Sequence, residues 1–379
     1  MNVRPLFFAA AGTLTLSLAS AQVDYVGQIT IPDGHDIVIR QGINPSSAGD
    51  STLYLVTTKE IYLATPPATG NTFAWPKANN PANPAEYITF KITFGSSVLL
   101  ATAPIAINTG EQGGNPSNML IMSGVRSGLY SFNLTAQSRQ NVETVNPPTG
   151  PYDAMAYQAT TGKVLIAKGN QIFARGLNNY EEPWPLLFGS TGTGNTQFVN
   201  LTEMAFSGNA FGGLLFTLDW GDPNKVDGKQ QVKVFDIDDP DGNYFRYAFD
   251  LPDSLELTNP DGHGVTINNY GHLFIADGRG GGMEFSLTGD LLATFSPPAD
   301  QLYGANNGLT GFNPAPYDAS LDATFITHTS DGNLFVMDGD YGLHWYRDTA
   351  AYSVPEPAAC AALAATATLG FAACRRRRK

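Results

Sequence analysis

The chain has 379 residues, of which 15% are charged, and its 34 acidic side chains outnumber its 21 basic ones, for a net charge of −13. An acidic chain repels phosphate and anionic headgroups, so the charge excludes nucleic acid and anionic lipid as principal partners. Both cysteines, Cys360 and Cys374, lie near the C-terminus. The body of the chain therefore has no disulfide, no thiolate catalyst and no cysteine metal site.

The first 21 residues have the three parts of a secretory signal. Arg4 lies in a short basic start, an apolar run extends from Leu6 to Leu18, and Ala19 to Ala21 form an A-x-A cleavage site. The apolar run is shorter than the roughly 20 residues that a membrane-spanning helix needs. We therefore expect signal peptidase to cleave after Ala21 and the mature chain to begin at Gln22. The alternative is an N-terminal membrane anchor.

A short strand pattern recurs six times in the body of the chain. The three copies that nearly coincide are LFTLDW from Leu215, LFIADG from Leu273 and LFVMDG from Leu334. Looser copies begin at Leu53, Met119 and Val164. Turn pairs such as Thr161-Gly162, Tyr270-Gly271 and Asp331-Gly332 precede some copies, as expected of hairpins.

Each copy lies between an alternating strand and a third strand, and some copies have a fourth. Four antiparallel strands repeated six times predict an all-β, six-bladed β-propeller over residues 22–353. The segment GHLFIADGRGGGMEFSLTGDLLATF, from Gly271, resembles NHL-type repeats. That resemblance implies a fold and not an activity.

The last predicted blade has no fourth strand of its own after Arg347. The segment from Tyr25 to Pro32, YVGQITIP, ends in proline like two of the other fourth strands. We therefore expect this N-terminal strand to complete the last blade and to close the ring, which removes exposed strand edges.

A second repeat precedes the first strand of some blades, with PDGH at Pro32 and Pro260 and PYDA at Pro151 and Pro316. The propeller register places the end of this connection at the mouth of the central channel. Imidazoles and carboxylates that converge there could hold a divalent ion such as calcium. Alternatively, these turn-forming residues only brace the backbone. The candidates are His35, Asp153, Glu203 and His263, with Asp322 as a further carboxylate.

Several other motifs could have either a functional role or a purely structural one. Trp75 and Trp184 lie in proline-rich loops, where each could stack on a sugar ring or fill a gap between blades. The acidic segments 219–228 and 236–242 do not fit the twelve-residue calcium loop, so we interpret them as turns. We expect His272, His328 and His344 to be packing or surface residues, because they lie within strand patterns.

The C-terminal segment, residues 354–379, has a motif, an apolar run from Ala358 to Cys374 and a basic cluster. The motif is Val354, Pro355, Glu356 and Pro357, and the cluster is Arg375, Arg376, Arg377, Arg378 and Lys379. This order resembles the PEP-CTERM sorting signal of Gram-negative bacteria. The resemblance implies processing by an exosortase near the proline motif, after a transient tether in the inner membrane. A permanent single-span anchor is the alternative.

Removal of both end segments takes away six of the basic residues and one of the acidic ones, which leaves a mature charge of −18. We find no nucleophile elbow, zinc-protease motif or phosphate-binding loop. The sequence therefore favours a secreted, non-enzymatic propeller at the cell surface or in the extracellular matrix, which binds polysaccharide or a surface protein. The alternative is a metal-dependent hydrolase, lactonase or lyase that uses the channel residues.

Overall fold

The computed structural model describes part of the chain, with the longest continuous stretches between residues 184 and 298. The described residues are 23–29, 36–39, 53–56, 61–64, 79–80, 83–87, 105–108, 118–123, 129–133, 138–141, 153–158, 161–176, 184–221, 230–252, 264–268, 270–277, 280–298, 326–328, 332–338 and 342–348. The segments 1–21 and 354–379, for which we predict export and sorting signals, lie outside these ranges.

The described residues form β-strands and one short 3-10 helix, Asn209–Phe211, as an all-β fold requires. No helix in these ranges is long and apolar enough to cross a membrane. In chain order the strands are β1 (Val23–Ile29), β2 (Asp36–Ile39), β3 (Leu53–Val56), β4 (Ile61–Ala64), β5 (Asn79–Asn80), β6 (Asn83–Tyr87), β7 (Ile105–Asn108), β8 (Asn118–Ser123), β9 (Leu129–Asn133), β10 (Ser138–Asn141), β11 (Ala154–Gln158), β12 (Lys163–Lys168), β13 (Gln171–Gly176), β14 (Leu186–Phe188), β15 (Leu201–Phe206), β16 (Leu215–Asp219), β17 (Gln231–Phe235), β18 (Phe245–Asp250), β19 (Val265–Ile267), β20 (His272–Ala276), β21 (Gly282–Ser286), β22 (Leu291–Phe295), β23 (Ile326–His328), β24 (Asn333–Asp338) and β25 (Gly342–Asp348).

The strands assemble into antiparallel sheets of four. The sheets β7–β10, β11–β14, β15–β18 and β19–β22 each consist of consecutive strands, and a further sheet joins β1 to β23–β25. Strands β2–β4 form a three-stranded sheet, and β5 pairs with β6. This local order, in which each strand pairs with its neighbour in sequence, confirms the predicted hairpins.

The repeated pattern marks the second strand of its sheet in every copy. The three strongest copies are β16, β20 and β24, and the looser copies are β3, β8 and β12. Every residue of β16 is buried, as expected of a strand in the middle of a sheet with both faces covered. Gly162, Gly271 and Gly332, from the predicted turns, have φ values of 67°, 79° and 83°, a region that favours glycine.

The N-terminal strand β1 pairs with β25 and completes the last four-stranded sheet. The pairing is antiparallel, with Tyr25 opposite Tyr346 and Val23 opposite Asp348. The rings of Tyr25 and Tyr346 pack edge to face with their centroids 5.2 Å apart. The predicted pairing between the two ends of the body is therefore confirmed, over Val23–Ile29.

Neighbouring sheets pack face to face through apolar layers. Phe188 and Phe235 contact each other between the β11–β14 and β15–β18 sheets, with their ring centroids 4.5 Å apart. The first strands lie side by side in the order β7, β11, β15, β19, β23 and β2. Sheets that share an inner row of first strands and stack through their faces form a β-propeller.

Candidate functional site between two sheets

A histidine and two carboxylates come together between the β19–β22 sheet and the sheet that contains β25. His272 is the first residue of β20, Glu284 is the middle residue of β21, and Asp348 is the last residue of β25. In the register of β20 and β21, Glu284 lies opposite Phe274 and His272 lies opposite Ser286. Because alternate residues of a strand share a face, His272 and Glu284 point to the same side of their sheet. We call His272, Glu284 and Asp348 the His272 cluster.

The polar side-chain atoms of the three residues lie close to one another. His272 Nδ1 is 2.5 Å from Glu284 Oε1 and 4.0 Å from Asp348 Oδ2. One nitrogen or oxygen atom from each of the three residues lies within 4.8 Å of the other two. Among the described residues, this is the one group of three His, Cys, Asp or Glu side chains with such spacing.

Asn268, immediately after β19, holds the cluster in place. Its Nδ2 donates a hydrogen bond of 2.9 Å to Asp348 Oδ2. Its Oδ1 accepts hydrogen bonds from the backbone N–H groups of Tyr270, at 3.0 Å, and His272, at 2.9 Å. The side chain of Asn268 therefore fixes the turn that leads into His272 and orients the carboxylate of Asp348 at the same time.

The cluster is buried, but its polar atoms are not all satisfied. The Glu284 side chain is fully buried and that of Asp348 is 2% exposed, while that of His272 is 24% exposed. His272 Nδ1 and both carboxylate oxygens of Glu284 are buried without a hydrogen-bond partner, although His272 Nδ1 and Glu284 Oε1 are in ion-pair contact. An unsatisfied buried carboxylate is costly, so Glu284 requires a nearby positive charge.

The electrostatics of the cluster favour a positive charge at its centre. Contact with Glu284 is the main cause that raises the pKa of His272, and the negative charge of Asp348 adds to it, while burial acts in the opposite direction. A protonated imidazole or a metal ion could each supply the required charge. The arrangement can therefore bind a cation or share a proton.

Asp153, predicted at the channel mouth, lies immediately before β11 and braces the turn between β12 and β13. Its Oδ2 accepts a hydrogen bond from the backbone N–H of Gly169. Asp153 is exposed in part, but desolvation by the surrounding protein raises the pKa of its carboxyl. The hydrogen bond from Gly169 and the positive charge of Lys168 act in the opposite direction and lower this pKa. This contact is the one expected if Asp153 has a bracing role.

Glu203, also predicted at the channel mouth, lies on the first strand β15. Its Oε1 accepts a hydrogen bond of 2.9 Å from the backbone N–H of Met204. Burial raises the pKa of Glu203 to about 8, although part of its surface stays accessible. The carboxyl is therefore largely protonated at neutral pH and lies in a half-buried position on an inner strand.

The other predicted channel residues, His35, His263 and Asp322, lie outside the described residues. The proposed convergence with Asp153 and Glu203 stays a prediction. In the described part of the chain, neither Asp153 nor Glu203 belongs to a group of three ligand side chains.

Trp184 is 8% exposed, with the guanidinium carbon of Arg175 located 5.7 Å from the centroid of its ring. Little of the indole face stays free for a sugar, so this environment favours the packing alternative. Trp75 lies outside the described residues.

The acidic segment 236–242 forms a turn whose carboxylates have protein partners. Arg246 contacts both Asp236 and Asp239 at 2.7 Å, and Lys163 contacts Asp238 at 3.0 Å. Hydrogen bonds from Arg246 and from the backbone lower the pKa of Asp239. The interpretation of this segment as an ordinary turn agrees with these contacts.

The His272 cluster was not expected from the sequence, because His272 lies within a strand pattern that predicts a packing or surface residue. The structure instead places His272 in contact with two carboxylates from different strands. One signal was available, since Glu284 is a charged residue between Met283 and Phe285 in a predicted third strand. For His344 the packing prediction holds, because this residue is fully buried beside Tyr25.

Comparison with known proteins gave no relative in sequence. No protein-family model matches the chain, and no curated protein matches it. The solved structures that resemble it include a nidogen/laminin complex, at 12% identity and a TM-score of 0.47, over 76% of this chain and 85% of that chain. A Dos1 propeller matches at 11% identity and a TM-score of 0.40, over 83% and 68%. A catalytically inactive virginiamycin B lyase from Staphylococcus aureus with quinupristin matches at 8% identity and a TM-score of 0.47, over 86% and 99%. At these scores, the fold assignment rests on the sheets of the chain itself.

Proposed function

We propose that the chain is an exported six-bladed β-propeller that acts as a non-enzymatic binding module for extracellular polysaccharide or a surface protein. One observation carries the proposal: Asp153, a predicted channel ligand, and two carboxylates of the acidic segment 236–242 brace the fold. Asp153 accepts a hydrogen bond from Gly169, and Asp236 and Asp239 contact Arg246. Because these carboxylates stabilise turns, we propose that the body is a rigid scaffold that binds its partner through its surface.

Three features support the six-bladed count and the closed ring. The repeat has six copies, and each described copy is a second strand. The first strands follow one another in a single order from β7 to β2. The pairing of β1 with β25 provides the outer strand that the last blade lacks. A ring closed in this way has no unpaired edge at the junction of its ends, which protects an exported protein from aggregation.

Export and sorting form the second part of the proposal. Signal peptidase removes residues 1–21, and an exosortase processes residues 354–379 after a transient tether in the inner membrane. The mature body then resides at the cell surface or in the extracellular matrix of a Gram-negative bacterium. The buried end of β25, at Asp348, is close in sequence to Val354, so a processing site just outside the folded body fits the proposal.

A second candidate function is metal-dependent hydrolysis or elimination at the channel mouth, with His35, Asp153, Glu203 and His263 as ligands or acid–base groups. The observation that favours it is the pKa of Glu203, which burial raises to about 8. A protonated carboxyl on an inner strand has the property expected of a general acid near neutral pH.

Cosedimentation of the mature body, residues 22–353, with extracellular polysaccharide from an exosortase-containing host distinguishes the two functions. The binding proposal predicts that the body sediments with the polymer and that the polymer length does not change. Shortening of the polymer, abolished by Glu203→Gln, would overturn it in favour of the enzyme. Absence of binding both to the polymer and to the surface proteins of the same host would overturn the binding proposal as well.

A further inference from the structure

We propose that His272, Glu284 and Asp348 bind a divalent transition-metal ion, with zinc as the expected ion, and that this ion links two neighbouring sheets of the propeller. In the described part of the chain the site is separate from Asp153 and Glu203, and it is independent of the polymer-binding function. It combines ligands from β20 and β21 of one sheet with a ligand at the end of β25 in the next.

Charge is the first reason for the assignment. The carboxylate of Glu284 is fully buried, and neither of its oxygens has a hydrogen-bond partner. A divalent cation bonded to this carboxylate, with His272 as a neutral imidazole, supplies the positive charge that Glu284 requires. The cost of burying Glu284, whose two oxygens have no hydrogen-bond donor, is then offset by direct bonds to the ion.

Ligand type is the second reason for the assignment. One imidazole nitrogen with two carboxylate oxygens is the mixed set that zinc and similar ions accept. Calcium prefers 6–8 oxygen ligands, so the imidazole makes it a poor fit here. The cluster therefore favours zinc over the calcium that we considered for the channel.

The separations between the ligand atoms are the third reason for the assignment. Ligands about 2.0 to 2.2 Å from a tetrahedral zinc ion are roughly 3.4 Å apart. The contact of 2.5 Å from His272 Nδ1 to Glu284 Oε1 would need to open, and the 4.0 Å separation from Asp348 Oδ2 would need to close. These two changes are smaller than about 1 Å. The separation between the ligand oxygens of Glu284 and Asp348 lies within 4.8 Å, so it would close by at most about 1.4 Å. Side-chain rotation can supply shifts of this size.

The surroundings support the site. Metal-binding carboxylates are usually held by outer hydrogen bonds, and Asn268 Nδ2 supplies one to Asp348. The backbone N–H of His272 is fixed by the same asparagine, at 2.9 Å from its Oδ1. The His272 side chain is 24% exposed, so solvent reaches the edge of the cluster, although the ligand atom Nδ1 itself is buried.

The test uses the mature protein, treated with EDTA, dialysed, and then loaded with zinc chloride. We expect about one zinc ion per chain by elemental analysis and, at a hundredfold excess over the Kd, a rise in Tm of about 5 °C. Glu284→Gln keeps the shape of the side chain but removes its charge, so it should lose both the ion and the Tm shift. Asp290→Asn, an exposed carboxylate of the same sheet, serves as the control and should keep both.

Three results would overturn the proposal: no bound zinc in the wild type, zinc retained in Glu284→Gln, or zinc lost in Glu203→Gln but not in Glu284→Gln. If Glu284→Gln does not fold, X-ray absorption of the zinc-loaded wild type decides. One imidazole among oxygen neighbours supports the His272 cluster. Two imidazoles would indicate His35 and His263 at the channel and would contradict it.

Discussion

Lys233 Nζ lies 2.9 Å from Asp219 Oδ2, and both side chains are only 3% exposed. Lys233 also donates to the backbone carbonyl of Gly194, at 3.4 Å, while Asp219 Oδ1 accepts from the N–H of Val199, at 3.0 Å. Asp219 is the aspartate of the repeated pattern and the last residue of β16. Its role at that position is structural, because it pairs with Lys233. The ion pair ties β16 and β17 to the segment that leads into β15.

Lys233→Met should destabilise the protein by about 3 to 5 kcal/mol, because it leaves a buried carboxylate without its cation. Urea denaturation of the mature body measures the change. Lys163→Met is the matched control, because its partner Asp238 lies at a similar distance of 3.0 Å but the two side chains are 38% and 40% exposed. The control should cost less than about 1 kcal/mol. Equal losses in the two variants would show that burial of the Lys233 pair contributes nothing.

Glu203 should make stability depend on pH. Its pKa is about 8 in the folded protein and 4.5 in a fully solvated carboxyl, so the folded state holds its proton more tightly. This contribution is fully present below pH 4.5 and is lost as the pH rises through about 8. Between these values we expect a loss on the order of a few kcal/mol.

The variant Glu203→Gln isolates this effect. Glutamine keeps an oxygen that can accept the hydrogen bond from Met204 but has no proton to lose. Its stability relative to the wild type should therefore increase from pH 5 to pH 8.5, measured by denaturation at each pH. A constant difference across this range would contradict the raised pKa.

Both ends of the chain should be absent from the mature protein. Intact-mass measurement on surface material from an exosortase-containing host should give a chain that begins at Gln22 and ends between Pro355 and Pro357. Arg375 to Lys379 should remain on the precursor alone. Their recovery on the surface form would support a permanent anchor.

Much of the fold could be predicted from the sequence, because the repeated pattern depends only on the burial of each second strand within its own sheet. A second strand with both faces covered is mostly apolar, so LFTLDW, LFIADG and LFVMDG could be recognised without the structure. The pairing of β1 with β25 was also predictable, since the last blade lacked an outer strand and YVGQITIP had no other partner in sequence.

The His272 cluster could not be predicted in the same way. Its residues belong to two sheets, and no spacing in the sequence connects Asp348 to Glu284. The packing of one sheet against the next brings them together, through residues such as Phe274 and Tyr346. A glutamate inside a strand reveals that a partner is needed but does not identify it.

The most direct test of the account is the stability of the body with and without strand β1. A chain that begins at residue 35 lacks Val23–Ile29, which exposes the backbone of β25 and removes the packing of Tyr25 on Tyr346. We expect a loss of several kcal/mol and a fall in Tm of about 10 °C or more, relative to a chain that begins at Gln22. An unchanged Tm would contradict the proposed closure of the ring by the N-terminal strand, and with it the proposed count of six blades.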